Sequence, residues 1–495
     1  MFESAELGHK IDKVTYDNEV PKLREDLLNA QFDLAQKAEF PVIILIGGVD
    51  GAGKGETVNL LNAWMDPRHI QTHAMGDESD EERERPHMWR YWRALPPKGK
   101  IGVFFGSWYT APIIQRVMGE SKAAELNQSI GEINRFEKML TNEGALIIKF
   151  WFHLSKEKQH KRLKGLEKDP KTRWRVTDLD WERFKLYDKF RKVSEHTLRA
   201  TSTAEAPWIV VEGADARYRN LTTGKILLEA IQKRLNYHTH AASASVAPLQ
   251  SSIDNLNVFD KLDMTQKIAK KKFDIELEKY QGKLNLLTRD KRFRNMSVIA
   301  LFEGSDAAGK GGAIHRIAGA LDARICRIIP VAAPTEEERA QPYLWRFWRH
   351  IPRKGHVTIF DRSWYGRVLV ERVEKFCSEA DWMRAYSELN DFEEQLVKNN
   401  TVLVKFWLTI TKEEQLRRFK EREKTGFKRF KITEEDWRNR KKWSEYETAV
   451  CDMVDRTSTD IASWTLVEAN DKYFAHIKIL KTLCHQIEAA MKKSK

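Results

Sequence analysis

The chain has 495 residues, 41% hydrophobic and 32% charged, the composition of a soluble globular protein with room for two to four domains. Its net charge of +13 predicts a polyanionic partner: nucleic acid, an anionic membrane or a phosphate polymer. No stretch approaches the ~18 to 20 apolar residues of a membrane span, and the opening residues hold no signal-peptide core, so a cytoplasmic location is expected. The four cysteines, Cys326, Cys377, Cys451 and Cys484, are far apart and lack Cys-x-x-Cys spacing, which supports neither a disulfide framework nor a zinc site.

In chain order, a charged helical stretch from Tyr16 to Leu34 is followed by short β-rich runs at Val42 to Ile46, Ile101 to Phe105, Leu146 to Phe152 and Trp208 to Val211. The first run breaks into Gly48-Val-Asp-Gly-Ala-Gly53-Lys54-Gly55. Residues 239–255 are small and polar with one proline, which reads as a linker. A second helical stretch, Phe273 to Leu287, then opens the same series again: Val298 to Phe302, His356 to Phe360, Val402 to Leu408 and Trp464 to Val467.

The two series are a tandem duplication with a constant offset, 310 minus 54, or 256. It maps Lys54 onto Lys310, Trp89-Arg90-Tyr91-Trp92-Arg93 onto Trp345-Arg346-Phe347-Trp348-Arg349, and Ser107-Trp108-Tyr109 onto Ser363-Trp364-Tyr365. Lys149-Phe150-Trp151 maps onto Lys405-Phe406-Trp407, and Thr201-Ser202-Thr203 onto Thr457-Ser458-Thr459. The expected fold is therefore α/β: residues 1–238 and 256–495 each form a P-loop kinase-like repeat, with a parallel sheet flanked by helices and a helical basic lid. Ligands of such sheets sit at the carboxyl ends of the strands.

The richest stretch is Gly304-Ser-Asp306-Ala-Ala-Gly309-Lys310-Gly311. Its glycines allow backbone N–H groups to turn inward on an anion, Lys310 reaches outer phosphates, and the helix that follows adds its positive end. Gly311 stands where a Ser or Thr hydroxyl would bind Mg²⁺, which leaves Asp306 as the oxygen donor inside the loop. Further on, Val357 to Phe360 ends in Asp361-Arg362, where a strand-end carboxylate acts on Mg²⁺ and a planar guanidinium engages two phosphate oxygens. Lys354 precedes that strand and is placed in the same cleft; Arg367 and Arg372 follow it and join the phosphate-binding set.

The dense tryptophans around Trp345 and Trp348 read as core anchors, whereas Arg346 and Arg349 line the phosphate path or pair with carboxylates. From Arg417 to Lys442 a basic run is interrupted at Thr425-Gly426 and restarts at the N-cap Thr433. Helix, break and helix suggest a lid that closes Lys428, Arg429 and Lys431 onto transferred phosphate.

Gly-x-Asp-x-x-Gly-Lys-Gly, the Asp-Arg-Ser-Trp-Tyr-Gly-Arg run and the basic lid together resemble the second family of polyphosphate kinases, over both repeats. The resemblance implies transfer of the terminal phosphoryl group of inorganic polyphosphate to a nucleotide with Mg²⁺, and the duplicated architecture is similar to the subgroup that converts AMP to ADP. Carried over by position, Asp306 and Asp361 hold Mg²⁺, Lys310 grips phosphate, and Arg362 and Arg429 neutralise transition-state charge. Gly304, Gly309, Gly311 and Lys428 complete the phosphate set.

No nucleic-acid-binding signature and no membrane segment accompanies these motifs, and a homo-oligomer is compatible with the fused repeats. The alternatives are an ATP-dependent nucleoside monophosphate kinase and a non-catalytic polyanion-binding protein on a P-loop scaffold. In the first repeat the offset places Phe105 opposite Asp361 and Gly106 opposite Arg362. Only the second repeat is thus expected to turn over.

Overall fold

The computed structural model describes residues 1–236, 257–426, 430 and 432–493. Two compact units emerge, each built mainly from one repeat; the first also holds Pro334–Trp345 and the second Glu78–Trp89. Among the described residues no helix is long and apolar enough to cross a membrane.

The first unit carries β1 (Val42–Gly48), β2 (Ile70–Ala74), β3 (Ile101–Phe105), β4 (Leu146–His153) and β5 (Trp208–Glu212), in the order β2-β3-β1-β4-β5. The second carries β6 (Ser297–Gly304), β7 (Cys326–Pro330), β8 (Val357–Asp361), β9 (Thr401–Thr409) and β10 (Trp464–Glu468), in the order β10-β9-β6-β8-β7. Every pairing is parallel. The eight strand runs expected from the sequence are all present, and the offset is kept in register: Ile46 pairs with Phe105 as Phe302 pairs with Asp361.

Two strands escaped the sequence reading. β2 (Ile-Gln-Thr-His-Ala) and β7 (Cys-Arg-Ile-Ile-Pro) lie at sheet edges and are mostly exposed, so neither needs the continuous apolar run that marks the central strands. The middle of β6, Val298 to Phe302, is wholly buried. Its two faces are covered by helices, among them Lys270–Arg289 and Lys472–Lys493, whose Tyr280, Leu284, Leu480 and Leu483 join the same core. Trp345, Trp348 and Trp364 are buried, as core anchors should be, and Arg346 donates to the Ala332 carbonyl at 2.9 Å.

The Ser-Trp-Tyr, Lys-Phe-Trp and Thr-Ser-Thr matches turn out to be parts of one buried network. Lys405 on β9 meets Glu393 of the helix Glu379–Lys398 at 2.7 Å, with the two side chains 0% and 1% exposed. Glu393 also accepts from Trp364 Nε1 at 2.9 Å and the Tyr365 hydroxyl at 2.6 Å, while Lys405 donates to the Thr457 carbonyl at 2.6 Å. Burial pushes the Glu393 carboxyl up and the Lys405 amine down, so each charge depends on the other. The first unit repeats this with Lys149, Glu137, Trp108, Tyr109 and Thr201. In both units the network pins the turn that follows the strand beside the central one, β3 in the first and β8, which ends in Asp361, in the second.

Candidate active site

At the carboxyl end of β6 the chain turns through Gly304 to Gly309 into the helix Lys310–Ala318. Gly304 has φ +148°, and a Cβ there would fall 2.3 Å from the Leu408 carbonyl oxygen, so only glycine lets the loop lie this close to β9. Arg418 is buried and holds the loop from behind. Its guanidinium donates to the carbonyls of Ala307 and Ala308 at 2.9 and 3.1 Å and to Ala469 at 2.7 Å. Lys310 Nζ folds over the cradle and donates to the Gly304 carbonyl at 2.6 Å.

Asp306 faces the same cleft. Its Oδ2 accepts from Asn439 Nδ2 at 2.9 Å, and its Oδ1 lies 3.9 Å from the guanidinium of Arg362. Arg362 follows the last residue of β8 and has φ +64°, left-handed backbone that a side chain rarely adopts. Burial works against its charge, but Asp306, Glu303, Glu435 and Asp361 outweigh it and hold the guanidinium pKa above its ordinary value. Among the described residues none gives the Asp361 carboxylate a hydrogen bond or salt bridge.

The cradle with Asp306 and Lys310, together with Arg362, borders a pocket of about 120 Å³ that is also lined by Trp407, Glu435, Asn439 and Tyr446, among others; Asp361 is not in its lining. The sequence reading missed several of its walls. Glu303, the residue before Gly304, is 6% exposed and accepts from the Ser363 hydroxyl at 2.8 Å. Burial pushes its carboxyl up to about 7 against the pull of Lys310, the Ser363 hydroxyl and Arg362. The offset could have found it, because Gly47 stands at its place in the first repeat. Asn439 and Tyr446 come from the helices Glu434–Lys441 and Trp443–Thr457 and carried no such signal.

Other expected residues sit elsewhere. Lys354 lies before the first residue of β8, at the amino ends of the parallel strands, whereas the cradle is at their carboxyl ends. Four steps of ~3.3 Å put about 13 Å between the first and last residues of that strand, and Lys354 lies further back still, so it is not brought to the cleft. Arg367 pairs with Glu371 at 3.3 Å. Arg372 pairs with Asp452 at 2.7 Å and lies 4.2 Å over the Trp382 ring. Both are held by structural partners beside the turn and are absent from the pocket lining. Lys428, Arg429 and Lys431 lie outside the described residues. The flanking helices of the expected lid are Lys412–Lys424 and Glu434–Lys441.

Among the described residues no group of three or more His, Cys, Asp or Glu could hold a metal alone. Mg²⁺ needs no such group: it keeps several waters and takes one or two carboxylates plus substrate phosphates. Asp306 on the loop and the unclaimed carboxylate of Asp361 at the strand end suit that donor set.

In the first unit the cradle keeps its shape. Lys54 Nζ donates to the carbonyls of Gly48 and Val49 at 2.8 and 3.0 Å and to Asp50 at 3.0 Å. Phe105 and Gly106 occupy the positions of Asp361 and Arg362, and Gly106 keeps the left-handed backbone with φ +81°. The turn survives while the carboxylate and the guanidinium are gone.

The model of the family described as polyphosphate kinase 2 matches residues 10–239 and again 267–495. A Pseudomonas aeruginosa protein named polyphosphate:AMP phosphotransferase is 60% identical over 100% of both chains. Its namesake from Acinetobacter johnsonii is 38% identical over 94% of this chain and 96% of that one. A crystal structure described as polyphosphate kinase 2 from Pseudomonas aeruginosa PA01 superposes with a TM-score of 0.91 at 57% identity, with full coverage of both chains. With both repeats matched and full-length relatives this similar, the chain belongs to the polyphosphate kinase 2 family.

Proposed function

We propose that this chain is a polyphosphate:AMP phosphotransferase, which moves the terminal phosphoryl group of inorganic polyphosphate to AMP and releases ADP. The observation that carries the reading is the convergence, in the second repeat alone, of the Lys310 cradle, Asp306, Asp361 and Arg362 at the carboxyl ends of β6 and β8. The names of the full-length relatives support the choice of donor and acceptor.

The chemistry is positioning and electrostatics. The cradle N–H groups and Lys310 bind the donor phosphates, and Arg362 spans the oxygens on which charge accumulates. Asp306 and Asp361 would hold Mg²⁺, which neutralises phosphate charge when bound. The acceptor oxygen of AMP is already anionic near neutral pH, so no general base is required. Residues 256–495 form the catalytic repeat and 1–238 the degenerate one, and the lid cations Lys428 and Arg429 act on the transferring phosphoryl after closure.

Incubating the protein with AMP, Mg²⁺ and either polyphosphate or ATP tests the reading. ADP should form from polyphosphate; ADP formed only when ATP is the donor would overturn the assignment in favour of a nucleoside monophosphate kinase.

A further inference from the structure

The first repeat holds a pocket of about 520 Å³ over its own cradle, against about 120 Å³ in the second. That larger volume falls within the ~300 to 1,000 Å³ of small-molecule sites. Its chemistry has also changed. Phe105, Met118, Leu179 and Leu186 line it where the second repeat has Asp361, Glu374, Glu435 and Lys442, and Gly47 and Gly106 replace Glu303 and Arg362. Most of the charge has been removed from the walls, yet the anion cradle with Gly48, Asp50 and Lys54 remains.

The charged groups in the lining are Asp50, Lys54 and Arg183, the last standing where the second repeat has Asn439. Lys54 and Arg183 lie 3.0 and 3.9 Å from Asp50, so the net positive charge is one. That balance suits a single phosphate and offers little to a polymer bearing about one charge per phosphate.

The opposite wall is aromatic. Trp151 stacks on Phe190 with centroids 5.8 Å apart and meets Trp208 edge-on at 6.1 Å. It leans into the space freed at Gly47, where a Cβ would fall 3.0 Å from its ring. Two lining residues also carry buried polar atoms with no hydrogen-bond partner among the described residues, Trp151 Nε1 and Gln159 Oε1, although Trp151 and Gln159 are only 3% and 5% exposed. In the second repeat the matching Gln415 Oε1 accepts from Arg440 at 3.1 Å; here Phe184 has taken the arginine's position. An unpaired donor and acceptor beside aromatic rings suit a heterocyclic base, which offers both on its edge, and not an alkyl chain.

We propose that the first-repeat pocket binds a nucleoside monophosphate without chemistry, its phosphate on the Lys54 cradle and its base against Trp151 and Phe190. The proposal rests on the reading above only for the choice of AMP as probe.

Equilibrium dialysis of the full chain with AMP, without polyphosphate, tests it. Lys310→Ala should leave the first-repeat equivalent in place, and that equivalent should weaken about tenfold or more in Lys54→Ala and in Ile114→Asp, which puts a charge in the apolar wall. Short polyphosphate should fail to displace it. Loss of all AMP binding in folded Lys310→Ala, unchanged binding in both first-repeat variants, or displacement by polyphosphate would each overturn the site. Turnover plays no part in this readout, so a wrong donor assignment leaves the result standing.

Discussion

Asn439 donates a 2.9 Å hydrogen bond to Oδ2 of Asp306, joining the helix that restarts the basic run to a carboxylate in the cradle. The Tyr446 hydroxyl in turn donates to Asn439 Oδ1 at 3.2 Å, which fixes the amide with its nitrogen towards Asp306. A carboxylate oriented this way presents its other oxygen to the cleft. Removing such an outer partner typically costs about 10- to 100-fold in metal affinity. Asn439→Ala should therefore raise the Mg²⁺ concentration for half-maximal turnover by about tenfold or more, read by titrating Mg²⁺ at saturating AMP and polyphosphate. An unchanged midpoint would separate Asn439 from the metal.

Asp361→Asn should leave the fold intact and lower turnover by about 10²-fold or more, because the change is nearly isosteric but removes a metal-binding charge. Circular dichroism checks the first half and ADP production the second. Activity close to the parent's would mean that Asp361 does not hold the metal.

Arg362 sits in left-handed backbone at φ +64°, the conformation Gly106 adopts at the same place in the first repeat. Keeping a side chain there stores strain of about 1 kcal/mol or more. Arg362→Gly and Arg362→Ala delete the same contacts, so their difference isolates the backbone. Both should lose turnover, while Arg362→Gly unfolds about 1 kcal/mol later than Arg362→Ala in urea. Equal stability of the two would mean that the turn relaxes once the guanidinium is removed.

His476 is 5% exposed in the helix Lys472–Lys493, and its Nε2 lies 3.3 Å from where a Cβ on Gly312 would be, behind the cradle helix. Burial, with Arg316, Lys472 and Arg418 facing it, pushes its pKa down to about 3. The folded value lies below the unfolded one, so the contribution is complete above about pH 6.5 and is lost as pH falls towards 3. The slope is about 1.4 kcal/mol per pH unit, or about 2 kcal/mol between pH 7 and 5. His476→Gln should lose less stability than the parent over that interval in urea titrations. Parallel pH curves would place the acid sensitivity elsewhere.

Legibility in the sequence followed the physics of each element. Central strands such as β6 are buried on both faces, so their apolar runs announced them, and the constant offset made each repeat a check on the other. The edge strands β2 and β7 left no such trace. Asp306, Lys310 and Arg362 were legible because a cradle and a strand-end Asp-Arg are local patterns. Asn439 and Tyr446 were not, since they enter the site from helices whose sequences read only as charged and amphipathic. Lys354 was misplaced for a directional reason: proximity in sequence to a short strand says nothing about which end of the sheet a residue occupies.

The two cradles share a shape and differ in their surroundings. Lys54 and Lys310 fold over their loops alike, donating to Gly48 and Gly304 at 2.8 and 2.6 Å. What differs is the company they keep. Lys310 shares its cleft with Glu303, Asp306 and Arg362, with Asp361 at the adjacent strand end, whereas Lys54 has Asp50 as its carboxylate partner and faces Gly47, Phe105 and Gly106. The first repeat has no counterpart of the Asp361 carboxylate or the Arg362 guanidinium, and the guanidinium in its pocket is that of Arg183, at the position of Asn439. Lys310→Ala should accordingly lose nearly all turnover, by about 10²-fold or more, because it contacts charge that develops in the reaction. Lys54→Ala should retain most turnover on short polyphosphate. Steady-state ADP production by the two folded variants measures the contrast, and equal losses would mean that the first cradle takes part in phosphoryl transfer despite Phe105.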